Sequence, residues 1–412
     1  MSTLEDKQFL LLDMLSPVRV IDKNLFLSME LPDWQFILRL AYAHRLEPLL
    51  HWQLQRHHTY LELPDLLANS LRKSFKRSTM RSLELQRELL LVCQILDAKK
   101  IPYVALKGAY LALHTYPQSG LRPLRDLDIL VPFDCALTAY QALLDAGLKR
   151  QVQYPGYPLA SMQVHTHLPP ILSKSERVNI ELHAHLLHPE IVLPNSMYGC
   201  DIWNRTIEKS VGNAMIRFLS PTDLLLHLIV YAIYMHRFNN GPLVISDIAF
   251  LLKTSQIDWS LFWKEANTGC WAKGCFLTLK IVEKYWGALA IDWPDDHLSI
   301  VTSLEDMIKE ATLLMLGNYD GLSEAGFATE IMLSTSPAVK MRLIMRELFR
   351  SRLRMSAASG IPPLSPYIYL EYFKLWKRVI VRRLPAILHL YKQTNIPVEL
   401  SRWSRLQRWL HS

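Results

Sequence analysis

The sequence predicts an α+β protein in which a small mixed core of strands and helices is embedded between helical regions. Three observations predict it. Residues 1–100 repeat apolar side chains at helical spacing, Ile101 to His185 alternates short apolar runs with a helical one, and helical patterning returns from Ser220 onward. The expected divisions are an N-terminal helical region (1–100), a mixed core (101–215), a second helical region (216–337) and C-terminal helices (338–412). At about 150 residues per domain, a chain of 412 has room for two to three such units.

Each element has its own signal. Pro32-Asp33-Trp34 opens a helix whose stripe is Trp34, Ile37, Leu38 and Ala41. A second restarts at Glu47, and Pro64 opens a long one that ends on Leu85, Leu89, Val92 and Leu96. Ile101-Pro102-Tyr103-Val104-Ala105-Leu106 reads as a buried strand running into Lys107-Gly108, with a short helix from Ala109 to His114. Tyr116 to Gly120 is a loop by its Pro, Ser and Gly content, Leu124 to Val131 a second strand, and Phe133 to Ala146 a helix stopped by Gly147. Val164 to Leu172 and Arg177 to His185, on either side of Ser173-Lys174-Ser175-Glu176, predict a hairpin. Ser220-Pro221-Thr222-Asp223 combines an N-cap, an early proline and an acid at N3, a strong helix start. Helix breaks are expected at Asn239 to Pro242, around Asn318 to Pro337, and at Gly360 to Pro363.

Composition excludes several classes. Half the residues are hydrophobic and a fifth charged, which rules out collagen-like and largely disordered chains. Five cysteines, an odd number with no CxxC, argue against a disulfide framework or zinc ribbon and fit a reducing cytoplasm. The N-terminus shows no signal-peptide pattern, and the longest charge-free apolar stretch, Leu224 to Met235, is well short of the roughly 20 residues of a membrane span. The net charge of +8 is unevenly placed: Lys340 to Ser412 carries +12 and the rest −4.

The chemistry is expected between Lys107 and Glu181. Asp126 and Asp128 alternate on one strand, so both carboxylates share a face while Leu127 and Ile129 take the other. Such a pair repels itself unless a cation intervenes, and Mg²⁺, which prefers oxygen ligands, leaves positions for substrate phosphates. Glu181 adds a third carboxylate, sharing its face with His183 and His185. Three carboxylates can hold two metals that clamp the attacking and leaving oxygens of a phosphoryl displacement. Gly108, between a strand and a helix start, permits close backbone approach to phosphate, and Lys107, Arg122 and Arg125 supply positive charge.

These residues resemble those of the uncharacterised bacterial nucleotidyltransferase family within the DNA polymerase β-like superfamily. The likeness lies in Leu106-Lys107-Gly108-Ala109, in Gly120-Leu121-Arg122-Pro123 leading to Asp126-Leu127-Asp128-Ile129-Leu130-Val131, and in Ile180-Glu181-Leu182-His183. Asp33-Trp34 and Leu46-Glu47-Pro48-Leu49-Leu50 look like its N-terminal region, and Asp223 to His227 with Asp247-Ile248-Ala249 like its C-terminal helices. The resemblance implies a polymerase-β-like nucleotidyltransferase core, two Mg²⁺ ions, and transfer of a nucleoside monophosphate, by default AMP from ATP, to a hydroxyl. Asp126, Asp128 and Glu181 would then be catalytic and metal-binding, with Lys107, Gly108, Arg122 and Arg125 on the nucleotide. The acceptor stays open among small molecules, proteins and RNA ends.

Two other readings remain: a catalytically silent nucleotide-sensing or scaffold module, and a His-dependent metallohydrolase using the cluster His165, His167, His183, His185 and His188. Within that cluster, His165, His167 and His188 read as ordinary surface histidines, while His183 and His185 are candidates to support the carboxylates. His227, on a face with Asp223 and Tyr231, and Asp247, which needs a partner such as His227, His236 or Arg237, are further supporting candidates. In the C-terminal helices Arg342, Arg346, Arg350, Arg352 and Arg354 precede Tyr367, Tyr369, Tyr372, Phe373 and Trp376, and basic residues continue through Arg383. This mixture suits nucleic acid, a membrane surface or an acidic partner, or else a packed helix with a solvated basic face; the stripe Ile380, Leu384, Ile387, Leu388 and Tyr391 supports the latter.

Overall fold

A computed structural model describes residues 3–59, 62–189, 201–294, 304–317, 336–379, 381 and 396–411. The N-terminal region holds α1 (Leu4–Leu15), α2 (Lys23–Leu27), α3 (Leu31–Ala43), α4 (Glu47–His57) and the long α5 (Asp65–Ala98). The core follows: β1 (Val104–Ala105), α6 (Lys107–Tyr110), β2 (Asp126–Leu130), α7 (Ala136–Asp145), β3 (Lys149–Arg150), α8 (Pro158–Val164), β4 (Ile171–Leu172), β5 (Asn179–His183), β6 (Ile207–Val211) and β7 (Ala214–Phe218). Next come α9 (Pro221–Val230), α10 (Leu243–Thr254), α11 (Trp259–Thr268), α12 (Ala272–Trp286) and α13 (Leu304–Leu316). Helices Pro337–Leu348, Arg352–Ser359, Ile368–Arg378 and Ile396–His411 follow. The architecture is α+β, as expected.

The strands form a seven-stranded mixed sheet in the order β3-β4-β5-β2-β1-β7-β6. At its centre β2 and β5 run parallel in unbroken register from Asp126↔Asn179 to Leu130↔His183, which sets Asp128 directly beside Glu181. Period-two alternation does the rest. Leu127, Ile129, Ile180 and Leu182 are almost fully buried, and α5 and α7 pack behind these strands, while the carboxylates emerge on the opposite face. Burying four such side chains is worth about 1.5–3 kcal/mol each, so a one-residue register slip is strongly disfavoured.

Several expectations hold in detail. Ser220 Oγ accepts the N–H of Asp223 and so caps α9, and Gly147 ends α7 with φ +92°, a conformation glycine adopts without a Cβ penalty. Others need correction. The first hairpin arm is a strand only at Ile171–Leu172, because Val164 ends helix α8 and Pro169-Pro170 cannot donate to a ladder. The helix expected from Ala109 starts earlier, at Lys107, and passes into a π-helical turn at Leu111–Thr115. The β6–β7 hairpin was not read from the sequence, although Gly212-Asn213 between two alternating runs is its signal.

The basic C-terminal segment does not stand apart. Arg352–Ser359 packs against α8, and the N–H of Tyr157 donates to the Ser356 carbonyl. The helix Ile396–His411 packs on α13 through buried Trp403, Leu406 and Leu410, and Arg402 and Arg405 pair with Glu310. The stripe at Ile380, Leu384, Ile387, Leu388 and Tyr391, and most of the break expected from Asn318 to Pro337, lie outside the described residues. No helix among the described residues is long and apolar enough to cross a membrane.

Candidate active site

The carboxylate face of β2 and β5 forms the floor of a cleft of about 580 Å³. Among the described residues, its walls come from the N-terminal helices, the core and the helices that follow it, and none from the basic tail. Arg45 enters from the end of α3, Lys107 and Gly108 from the β1–α6 junction, and Arg122 to Asp126 from the segment leading into β2. Tyr231 belongs to a π-helical turn that continues α9, and Asp247 to α10. Two π-helical turns therefore flank the site, at Leu111–Thr115 and Tyr231–Met235; such turns recur at functional positions because they re-aim side chains within a helix.

Asp128 is the best-partnered of the three carboxylates on the cleft floor. His183 Nε2 lies 3.1 Å from Asp128 Oδ1, and Lys107 Nζ lies 3.9 Å from Oδ2. Burial pushes this carboxyl upward, but Lys107 and His183 outweigh it and hold the group well below the ordinary aspartate range. Lys107 also sits over the Tyr231 ring, 3.2 Å from its centroid, so the ammonium is caught between an aromatic face and a carboxylate. Its backbone adopts φ +25°, uncommon for a residue with a side chain, and strain of this kind persists only where surrounding contacts fix it.

Asp126 and Glu181 are in the opposite condition. Burial, then the charge of Asp128, raises Asp126 above the usual range; Lys107, Arg45 and Arg122 only partly compensate. Burial, reinforced by Asp128 and Asp126, pushes Glu181 from 4.5 up to about 7, while His167, with Nε2 3.7 Å from Glu181 Oε2, pulls it down. This has a consequence for the metal-free protein. A carboxyl whose folded pKa is raised stabilises the fold fully below its unfolded value, and that contribution disappears as pH rises through the folded one. The Glu181 contribution to stability should therefore fade between about pH 4.5 and 7 without divalent cations, so the melting temperature of the wild type should fall relative to that of Glu181→Gln across this interval. Buried imidazoles such as His183 and His227, held toward the neutral form, act in the opposite direction in both proteins and cancel in the comparison. A difference between the two proteins that stays constant, or that moves in favour of the wild type as pH rises, would contradict the assignment.

The donor set could hold a divalent cation. One ligand atom each from Asp128, Glu181 and His183 lie within 4.8 Å of one another, and Asp126 projects from the same face of β2. Two acids raised by burial and by the neighbouring Asp128 charge are what a cation would relieve. His183 Nδ1 and both ring nitrogens of His227 are buried and have no hydrogen-bond partner among the described residues, and both imidazoles are pushed toward the neutral form by burial. His227 lies within electrostatic reach of Lys107, His183 and Asp128, so this polar pair backs the carboxylate cluster.

Other expected residues take different places. Arg122 lines the cleft with two of its three guanidinium nitrogens already engaged: Nε and Nη2 donate to both oxygens of Asp247 at 2.8 and 2.9 Å, and the Tyr116 hydroxyl donates to Asp247 Oδ1 at 2.8 Å. Thus Arg122 and Tyr116, rather than His227, His236 or Arg237, are the partners Asp247 needs. Burial opposes the charge on Arg122, but the Asp247 carboxylate more than offsets it and holds the guanidinium above its ordinary range. Gly108 is required by packing, since a Cβ there would fall 2.8 Å from Leu124 Cδ2 and 2.9 Å from Arg122 Nη1. Arg125 lines the cleft, and its carbonyl accepts from Arg81 at 3.1 Å.

His185 leaves the cluster. β5 ends at His183, the N–H groups of Ala184 and His185 both donate to the Thr166 carbonyl, and the His185 ring bonds the Met162 carbonyl at 2.9 Å. Strand alternation fails there, so the face predicted from it fails too. His167, expected at the surface, instead lines the cleft, brought opposite His183 by an isolated antiparallel bridge. Arg45, Tyr116 and Tyr231 also belong to the site and carried no local motif.

A mixed sheet with two acids on one central strand, a third on its parallel neighbour, and a Lys-Gly turn beside them defines a nucleotidyltransferase of polymerase-β-like fold. The chain belongs to the uncharacterised nucleotidyltransferase family, whose family model matches residues 30–287. That match spans the cleft residues named above, though not Gly317, which also lines the cleft, and stops before the basic tail. No curated protein matches the chain.

Proposed function

We propose that the protein is a Mg²⁺-dependent enzyme that moves a nucleoside monophosphate, AMP from ATP by default, to a hydroxyl of a small molecule, protein or RNA end. The observation that carries this reading is the placement of Asp126, Asp128 and Glu181 on two adjacent parallel strands at the floor of a cleft walled by cations. Asp126 and Asp128 would hold both ions, and Glu181 would complete the catalytic one. When bound, Mg²⁺ neutralises phosphate charge and activates the acceptor hydroxyl for in-line attack. Glu181 receives the proton that leaves that hydroxyl, with His167 oriented against it. Lys107 and Arg125 hold the phosphates, and Arg122, fixed by Asp247, shapes the wall beside Gly108.

The reading is tested by equilibrium titration with non-hydrolysable NTP analogues. Binding should need a divalent cation in the wild type and weaken at least about tenfold in Asp128→Asn. Nucleotide affinity indifferent to both would overturn it. The alternative of a His-dependent metallohydrolase is favoured by one observation, the presence of His183 Nε2 among the clustered ligand atoms. A transition metal co-purifying with the protein and lost in His183→Ala would select that alternative. Nucleotide binding with no transfer to any acceptor in a host lysate would select the silent module.

A further inference from the structure

We infer that Arg45 is a phosphate-binding residue, supplied by the N-terminal helical region, for the polyphosphate end of the nucleotide. The inference rests on the cleft being an NTP site, and it adds a residue with no place in the strand and glycine motifs.

The first support is the backbone. α3 ends at Ala43, and the turn closes with the N–H of Leu46 on the Ala41 carbonyl at 2.8 Å and that of Arg45 on the Tyr42 carbonyl at 3.0 Å. Arg45 occupies the left-handed position of this closing turn, φ +58°, where glycine is the usual residue because a Cβ is disfavoured. Two and three residues after Glu47 opens α4, the chain is fully buried at Leu49 and Leu50, so the arginine is pinned between two packed helices. Lys100 and Cys270 close other helices in the same conformation, so the turn fixes where the guanidinium starts and the side chain's surroundings decide its role.

The second support is the side chain. It lines the cleft beside Lys107, Arg125 and Asp126. Among the described residues it makes no hydrogen bond or ion pair, whereas Arg122 is already held by Asp247. Burial, then Arg125 and Arg122, lowers its pKa only to about 10, so it stays a cation at neutral pH. Clustered guanidinium groups around one cleft repel one another until an anion enters, and the guanidinium fork matches pairs of phosphate oxygens. A polyphosphate carries enough charge to answer several of them at once.

A purely structural role would make a different prediction, since a cation near a helix C-terminus favours the helix dipole. One substitution separates the two. Arg45→Gly removes the guanidinium while restoring the residue the backbone prefers. Without ligand, this variant should melt a few degrees above the wild type. Its dissociation constants for Mg²⁺ with non-hydrolysable ATP, and for inorganic triphosphate, should rise at least about tenfold, as expected for losing hydrogen bonds to a charged group. Arg45→Lys should fall between the two. Unchanged binding by Arg45→Gly would overturn the inference, as would a fall in melting temperature accompanying the loss. A wild-type protein that binds no nucleotide at all would overturn the proposed function instead.

Discussion

Asp126→Asn and Asp128→Asn should each lower nucleotidyl transfer by at least about a thousandfold, equivalent to about 4 kcal/mol of transition-state stabilisation, and should move stability in opposite directions. Asp126 is raised by burial and by the charge of Asp128, so removing its charge relieves a cost and the metal-free variant should melt higher. Asp128 is held low by Lys107 and His183, so its replacement strands a buried ammonium and the variant should melt lower. Both substitutions keep side-chain shape and leave the β2–β5 ladder of main-chain bonds untouched. Calorimetry beside a transfer assay reads both outcomes. Two variants that melt alike, or that retain transfer, would contradict the electrostatic account of the cleft.

The second large effect concerns the pair Arg122 and Asp247, which joins the segment before β2 to α10. Their side chains are only 13% and 5% exposed. Removing one partner leaves a buried charge uncompensated, which typically costs about 3–5 kcal/mol. Arg122→Ala and Asp247→Ala should each show that loss in denaturant titrations. Arg122→Met combined with Asp247→Leu should recover most of it, because the uncompensated charge is gone from both sides. The recovered double variant should still lose transfer, since the wall beside Gly108 and Leu124 is held by that arginine. If the single losses simply add in the double variant, the two residues do not act as a pair.

The sheet at the heart of the site was legible from the sequence because its rule is local. Alternation in Asp126 to Leu130 and in Asn179 to His183 assigned the faces, and the parallel register delivered Asp128 beside Glu181. What escaped depends on contacts between distant segments. Asp247 is 125 residues from Arg122, and nothing near either position announces the other. His185 was misplaced because alternation ends with the strand at His183, and His167 because one isolated bridge, not a regular strand, turns it inward. Arg45 is invisible as a motif, because its significance lies in a positive φ at a helix end and in the cleft it faces. The charge asymmetry was correctly located but not what serves the cleft: among the described residues none beyond Gly317 lines it, and its cations are Arg45, Lys107, Arg122 and Arg125.

The central claim is that this cleft transfers a nucleoside monophosphate, and the position of the label on the nucleotide decides it. Wild-type protein is incubated with host lysate, Mg²⁺ and each NTP labelled in parallel at the α- or the γ-phosphate. The account predicts a labelled product from α-labelled nucleotide only, absent without divalent cation and absent with Asp126→Asn. Label arriving from the γ-phosphate, or transfer that survives loss of Asp126, would contradict it.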